Sequence, residues 1–207
     1  CKQGPLLDLF SGMCAVGQAV SGKRQVWNND AQVFASNVAQ AFFATPSLPL
    51  SLDDSITTTR RAFLANMEAL ETKCKNLLDQ EREAYGANKS EGIKAVETEI
   101  ARTTREQEQQ HKASGNSHHL FSTRLAGGYF SLAQCIEIDS IRAGIDHSFE
   151  AVAIDQQQRR WLLLGLAQAM SKVATTTGHF AQFIKVKPNN VKRFIAQRKR
   201  SIWQGWI

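Results

Sequence analysis

PLLDLFSGMCAVGQAVSGKRQVWNNDAQVFASNVAQAFF, residues 5–43, is the stretch that decides the predicted fold. Residues 5–10 have the apolar pattern of a short buried strand, and a turn leads from them into a helix at 14–20. A second strand is predicted at 25–27 and an apolar helix at 31–43. Strand, helix, strand and helix in this order are typical of a parallel sheet, so the sequence predicts an α/β fold.

A candidate nucleotide-type site lies at the first turn of this unit. The first strand ends near Asp8, Gly12 and Gly17 follow it, and Asp30 closes the second strand 22 residues after Asp8. Glycine lets the backbone approach a ligand where a side chain would clash. An acid at this distance accepts hydrogen bonds from a ribose in Rossmann-like sheets. Since the GxGxxG pattern is absent, a cofactor without phosphates is favoured. A glycine-rich turn in another α/β protein is the alternative.

The middle of the chain, residues 46–175, has the pattern of a helical insertion. Apolar residues recur at spacings of four and three at Phe63, Met67, Leu70, Cys74 and Leu77. This is one face of a long helix ending near Arg82. A second helix begins near Ile93, and the two predict an antiparallel hairpin standing off the sheet, with a coiled-coil dimer as the alternative. Further helices are predicted at 129–145 and 159–175.

The last quarter of the chain is strongly basic. The net charge is +6, yet no acidic residue follows Asp155, whereas ten lysines and arginines do. Seven of these bases fall in one segment, at Lys185, Lys187, Lys192, Arg193, Arg198, Lys199 and Arg200. We expect this segment, with a helix at 189–198, to contact the phosphates of double-stranded DNA. A solvated basic face is the alternative.

A family resemblance is carried by four stretches taken in order: LLDLFSGMCAVGQAV, VWNNDAQVFASNVAQAFF, GGYFSLAQCIEIDSIRAGI and TTTGHFAQF. Together they resemble the D12 class of DNA N6-adenine methyltransferases, the group that includes the Dam methylase. The resemblance implies S-adenosyl-L-methionine as the cofactor and DNA as the substrate. It also implies a partial Rossmann-like methyltransferase sheet whose large helical insertion recognises the target.

The resemblance also assigns roles to individual residues. The methionine end of the cofactor would be lined by Asp8, Phe10, Ser11 and Gly12. Asp30 would hold the ribose hydroxyls, Asn29 would help to place the adenine, and Gly17 belongs to the same predicted site. Met13 and Cys14 depart from the family, which usually has small or polar residues there.

The catalytic motif of this class is missing from the sequence. Amino methyltransferases carry a [DNS]-P-P-[YFW] loop, whose aromatic ring stacks on a base flipped out of the duplex. The chain has four prolines, and none is adjacent to another. We therefore assign no catalytic residue. We expect a partial chain, inactive alone, that works with the remainder of the methyltransferase in the same polypeptide or in a second subunit. The alternatives are a non-catalytic DNA-binding or assembly subunit with a vestigial sheet, and a cytosine-C5 enzyme, whose Pro-Cys pair is also absent.

The predicted organisation has three parts. Residues 1–45 form the cofactor-binding part, 46–175 the helical insertion that recognises the target, and 176–207 the basic DNA-contacting segment. No apolar run reaches the ~20 residues that span a bilayer, so no membrane partner is expected. The scattered cysteines and histidines predict neither a disulfide framework nor a metal site. A cytoplasmic protein fits this composition.

Several other side chains have structural interpretations. A solvated helix face is predicted at Glu97, Glu99, Glu106 and Glu108. Asp139 and Arg142, one helical turn apart, predict an ion pair. Trp203 and Trp206 either stack on bases or anchor the C-terminus into a missing half of the enzyme. His179 either packs or approaches substrate.

Overall fold

The chain folds as a mostly helical protein. The computed structural model describes residues 4–43, 51–111, 118–177 and 182–207. Within these ranges, most residues are helical and the sheet has two strands. The predicted α/β class, with a partial Rossmann-like methyltransferase sheet, is therefore wrong.

The N-terminal unit alternates strands and helices as predicted. Strand β1 is Leu6–Asp8, helix α1 is Ala15–Val20, strand β2 is Val26–Asn28 and helix α2 is Val33–Phe43. The two strands pair in parallel, with Leu7 opposite Trp27. This places the carboxyl ends of both strands, and the loops that follow them, at the same edge.

The fold prediction failed because this unit is not continued. In the described part of the chain no third strand joins β1 and β2. A parallel sheet is normally covered on both faces, but Leu7 and Trp27 stay 52% and 55% exposed. Beyond α2 the apolar residues follow helical periods, so those segments bury their apolar faces against one another.

The helical body is built from eight helices within the described residues. Their bounds are α3 Leu52–Lys73, α4 Lys75–Ala87, α5 Ser90–His111, α6 Leu120–Arg124, α7 Leu132–Glu150, α8 Gln156–Val173, α9 Val191–Arg198 and α10 Ile202–Trp206. Helix α7 lies at the centre and contacts α3, α4, α6, α8 and α10. Its side chains at Leu132, Cys135 and Ile141 are fully buried. Burying each large apolar side chain contributes roughly 1.5–3 kcal/mol.

The predicted long helix exists, but it is interrupted and packed. It breaks at Cys74 into α3 and α4, and α4 continues to Ala87 rather than ending near Arg82. Helices α4 and α5 form the predicted hairpin, but α3 packs along α7 instead of standing apart. The close approach requires Gly144, since a Cβ there would lie 2.6 Å from the Thr59 carbonyl oxygen.

Buried carboxylates cap the N-termini of neighbouring helices. Glu81 accepts the Leu132 N–H at the start of α7 at 2.7 Å. Asp139 accepts the Phe121 and Ser122 N–H groups of α6 at 2.9 and 2.8 Å. Burial raises the pKa of both carboxyls, while these backbone donors lower it. The predicted Asp139–Arg142 ion pair is wrong, because Asp139 serves as this cap.

Arg142 pairs instead with Asp146, one helical turn further along α7, at 2.5 Å. Arg159 of α8 binds the other oxygen of the same carboxylate at 2.9 Å. His118 Nε2 lies 3.3 Å from Asp146 as well. The pKa of Asp146 is lowered, because the Arg142 and Arg159 side chains outweigh the opposing effect of its burial. This network ties α7 to α8.

Candidate cofactor loop and basic face

The loop after β1 is held by an acid at the end of β2. Asp30 Oδ2 accepts the Gly12 N–H at 2.9 Å, and Oδ1 accepts the Gln32 N–H at 2.8 Å. Asp30 therefore joins the loop to the start of α2. Because β1 and β2 are parallel neighbours, residues that lie 18 positions apart in sequence meet at one edge.

Asp30 is suited to accept further hydrogen bonds. The N–H groups of Gln32 and Gly12 hold the pKa of its carboxyl below the usual value, so the group is ionised at neutral pH. A carboxylate has about four acceptor positions, and these two bonds leave others open to solvent. A pair of vicinal hydroxyls is one ligand group that such an acceptor can hold.

Asn29 and Ser11 position the same loop through their backbones and side chains. The Ser11 N–H donates to the Asn29 carbonyl at 3.0 Å, and the Asn29 N–H donates to the Asp8 carbonyl at 2.8 Å. The side-chain amide of Asn29 also donates to the Leu9 carbonyl at 3.3 Å. Phe10 projects from this loop and is 88% exposed. An exposed ring here is available to cover a ligand.

A cavity of about 450 Å³ adjoins the loop. Three of the predicted site residues line it: Ser11, Asn29 and Asp30. Its opposite wall comes from α2 and includes Ser36, Gln40 and Phe43. Asp8 at the end of β1, and Phe10 and Gly12 in the loop, lie outside this lining. The structure therefore gathers only part of the predicted set around one cavity.

Gly17 has a packing role in the structure. It is buried on the inner side of α1, where an added Cβ would lie 3.0 Å from Asn28 Oδ1 and 3.1 Å from Phe43 Cζ. The residue therefore permits close packing of α1 on β2 and α2. Its assignment as a cofactor-binding residue stays a prediction.

The basic segment presents six of its seven predicted cations to solvent. These residues, called the basic face below, are Lys185, Lys187, Lys192, Arg193, Lys199 and Arg200. Within the described part of the chain, their side chains form no ion pair. The opposite side of α9 buries Phe194 and Ile195. The face is therefore fixed on a packed helix and carries uncompensated charge.

Arg198 is the exception, and its prediction as a DNA contact is wrong. Its side chain is 0% exposed and forms an ion pair with Glu97 of α5 at 3.1 Å. The guanidinium also donates to the Gly128 carbonyl and lies 4.8 Å from the centre of the Phe194 ring. A side chain enclosed in this way cannot reach a phosphate backbone.

Glu97 is correspondingly buried, which contradicts its predicted place on a solvated helix face. Only 11% of its side chain is exposed. Burial raises the pKa of Glu97 to about 7, with the charge of Arg198 acting in the opposite direction. Glu99 and Glu106 do remain at the surface, where both bind Arg102. The side chain of Glu108 lies outside the described part of the structure.

The C-terminal tryptophans are part of the helical core. Trp203 stacks on Phe63 with ring centroids 4.1 Å apart. The Trp206 indole N–H donates to the Leu162 carbonyl at 3.0 Å. Both predicted roles, base stacking and anchoring into a missing half, are therefore wrong. The two rings hold α10 against α3 and α8 of this chain. His179, the other aromatic candidate, lies outside the described residues.

No protein family, characterised protein or solved structure matches this chain. The resemblance to D12 methyltransferases consequently rests on the motifs alone and stays a prediction. Among the described residues, no group of three or more histidine, cysteine or acidic side chains is arranged to hold a metal ion. None of the described helices combines the length and apolarity needed to cross a membrane.

Proposed function

We propose that the chain supplies the S-adenosyl-L-methionine loop and the DNA-contacting face of a site-specific DNA adenine N6-methyltransferase. It would act in the cytoplasm with the remainder of the enzyme, which would contribute the proline-pair loop. The proposal concerns the chemistry of the loop and the basic face. It does not depend on a Rossmann-like sheet, which the described residues do not form.

The observation that carries the proposal is the hydrogen bond between Asp30 and Gly12. This bond, 2.9 Å long, joins two separate motifs of the resemblance. One motif lies at the first turn and the other at the end of the second strand. Ligands of parallel sheets bind at the carboxyl ends of strands, and the adjoining cavity lies there. The absence of a pyrophosphate pattern in the loop agrees with a cofactor that has no phosphates.

The basic face supports the DNA-binding half of the proposal. Its cations stand on a rigid helix and the segments beside it, with no acidic residue after Asp155 to offset them. Lysine and arginine side chains that neutralise phosphates give affinity with little sequence information. Base recognition would then need other surfaces of the molecule.

Photolabelling tests the cofactor half. The purified chain would be irradiated with tritiated S-adenosyl-L-methionine, digested and mapped. We expect label in peptides from residues 4–43, and we expect excess unlabelled S-adenosylhomocysteine to suppress it. Label spread over the helical body, or label that the competitor leaves unchanged, would contradict the assignment of the loop.

A non-catalytic DNA-binding subunit is the second candidate. The observation in its favour is that the uncompensated basic face belongs to the helical body rather than to the β–α–β unit. The two candidates differ in cofactor binding. A chain that binds duplex DNA in a salt-dependent way but takes up no photolabel would support the second one.

A further inference from the structure

A large cleft lies between α5 and the segment that precedes α9. Its volume is about 790 Å³. One wall is a single face of α5, with residues spaced three, four and seven apart at Lys94, Glu97, Thr98, Ala101 and Arg105. The other wall is formed by residues 183–187. We call it the α5 cleft.

The segment that forms the second wall is held rigidly. Phe183 forms an antiparallel bridge with Thr176, and the Ile184 N–H donates to the Thr175 carbonyl at 2.9 Å. The Asn190 side chain accepts the Lys187 N–H at 2.8 Å and donates to the Lys185 carbonyl at 3.1 Å. The wall therefore keeps its shape without a ligand, which lowers the cost of binding.

The charges at the rim favour an anion. Lys94, Arg105, Lys185 and Lys187 are exposed and form no ion pair among the described residues. Arg102 also lines the cleft, but Glu99 and Glu106 hold it at 2.7 and 2.6 Å. These four exposed cations surround one cavity. Phosphates on either side of a group bound in the cavity could therefore each meet a cation.

The interior of the cleft offers an aromatic ring. Phe183 is 38% exposed, and Tyr129 supports it edge-on with ring centroids 5.6 Å apart. An aromatic face fixed in this way is a stacking platform for a base. Gly127 closes the floor, where it approaches α5 so closely that a Cβ would stand 2.4 Å from the Glu97 carbonyl oxygen. The Glu97 carboxyl itself pairs with the buried Arg198 at 3.1 Å.

We propose that the α5 cleft binds one unpaired nucleotide of DNA, with its base stacked on Phe183 and its flanking phosphates on the rim cations. Every base offers a π-face, so stacking on Phe183 does not select one base over another. This inference rests on the DNA-binding half of the proposed function.

Anisotropy titrations with a labelled duplex test it. The probes are a fully paired duplex, the same duplex with one bulged cytosine, and the same duplex with one bulged thymine. Stacking of one base predicts that the bulged cytosine raises affinity by about 5- to 150-fold over the paired duplex. The bulged thymine should also bind more tightly than the paired duplex, because stacking tolerates any base. Equal affinity for all three probes would overturn the proposal.

Substitutions of Phe183 identify the site. Phe183→Ala should remove the preference for the bulge and leave affinity for the paired duplex unchanged, whereas Phe183→Tyr should keep the preference. Phe34→Ala, another exposed phenylalanine away from the cleft, is the matched control and should behave as wild type. A bulge preference that survives Phe183→Ala overturns the assignment.

The outcomes separate this proposal from the proposed function. Salt-dependent binding of the paired duplex without any bulge preference overturns the α5 cleft alone. No binding of any duplex overturns the DNA-binding half of the function and the cleft with it. If polyglutamate displaces the bulged duplex from wild type and Phe183→Ala equally well, the cleft binds acidic peptides and the nucleotide assignment is wrong.

Discussion

Replacing Arg198 should destabilise the protein rather than weaken DNA binding directly. In wild type the guanidinium is fully enclosed and faces Glu97 at 3.1 Å. Arg198→Met keeps much of the side-chain volume but leaves a buried carboxyl without its cation. Removing one partner of a buried ion pair costs about 3–5 kcal/mol. We expect the free energy of unfolding to fall by that amount.

Urea denaturation followed by circular dichroism measures this effect. For urea slopes of about 1–3 kcal/mol per molar, the decrease in stability moves the midpoint by roughly 1–3 M. Lys199→Met is the matched control, because Lys199 is the next residue in sequence and is exposed on the basic face. A surface substitution of this kind should stay within about 0.5 kcal/mol of wild type.

A double variant separates the ion pair from general packing. Glu97→Met combined with Arg198→Met removes both charges, and replacing a buried pair with apolar groups is often neutral. The double variant should therefore be more stable than Arg198→Met alone. If Arg198→Met is as stable as Lys199→Met, the guanidinium is not buried, and its exclusion from the basic face is wrong.

Three other perturbations test the same geometry. The double variant Lys192→Ala with Arg193→Ala should weaken binding of any duplex. It should also lower the slope of log affinity against log salt by roughly 0.9 for each phosphate that is no longer neutralised. An unchanged slope would mean that these side chains are only solvated. Gly17→Ala should lower the free energy of unfolding by about 1–3 kcal/mol, because the added methyl group overpacks its site. Gly86 has open space around it, so Gly86→Ala should not destabilise the protein. Equal urea midpoints for the two variants would contradict this packing. Burial raises the pKa of Glu97 to about 7, whereas in the unfolded chain the pKa has its ordinary value of 4.5. Between these two pH values the native state keeps a proton that the unfolded chain has released. The free energy of unfolding should therefore fall as the pH rises from about 4.5 to 7. Glu97→Gln should remove up to roughly 3 kcal/mol of that fall, and an unaltered pH profile would contradict the burial of Glu97.

Local sequence patterns predicted the helices and strands well, because a few neighbouring residues determine where each of them forms. The strand, turn and helix of residues 5–43 form, and the apolar period of Phe63, Leu70 and Leu77 marks the buried face of α3 and α4. What failed was the extension from one β–α–β unit to a whole sheet. Whether further strands join β1 depends on partners distant in sequence, which no local period encodes.

The site predictions likewise succeeded where they depended on local order and failed where they depended on contacts between distant residues. Asp30 and Gly12 meet because parallel pairing is a short-range consequence of the β–α–β order. Arg198 was assigned to the surface from composition alone, since a run of bases does not reveal which member faces Glu97, which lies far earlier in the chain. The α5 cleft was missed for the same reason, although Lys94, Ala101 and Arg105 share a helical face that the sequence does display.

Cofactor affinity at Asp30 tests the central claim most directly. Isothermal titration calorimetry would compare S-adenosyl-L-methionine binding to wild type, to Asp30→Ala and to Asp53→Ala, a control acid exposed at the start of α3. Removing the hydrogen bonds between a charged acceptor and the ribose should weaken binding roughly 10- to 100-fold in Asp30→Ala, with Asp53→Ala equal to wild type. No binding to wild type, or equal affinity in Asp30→Ala, would contradict the account.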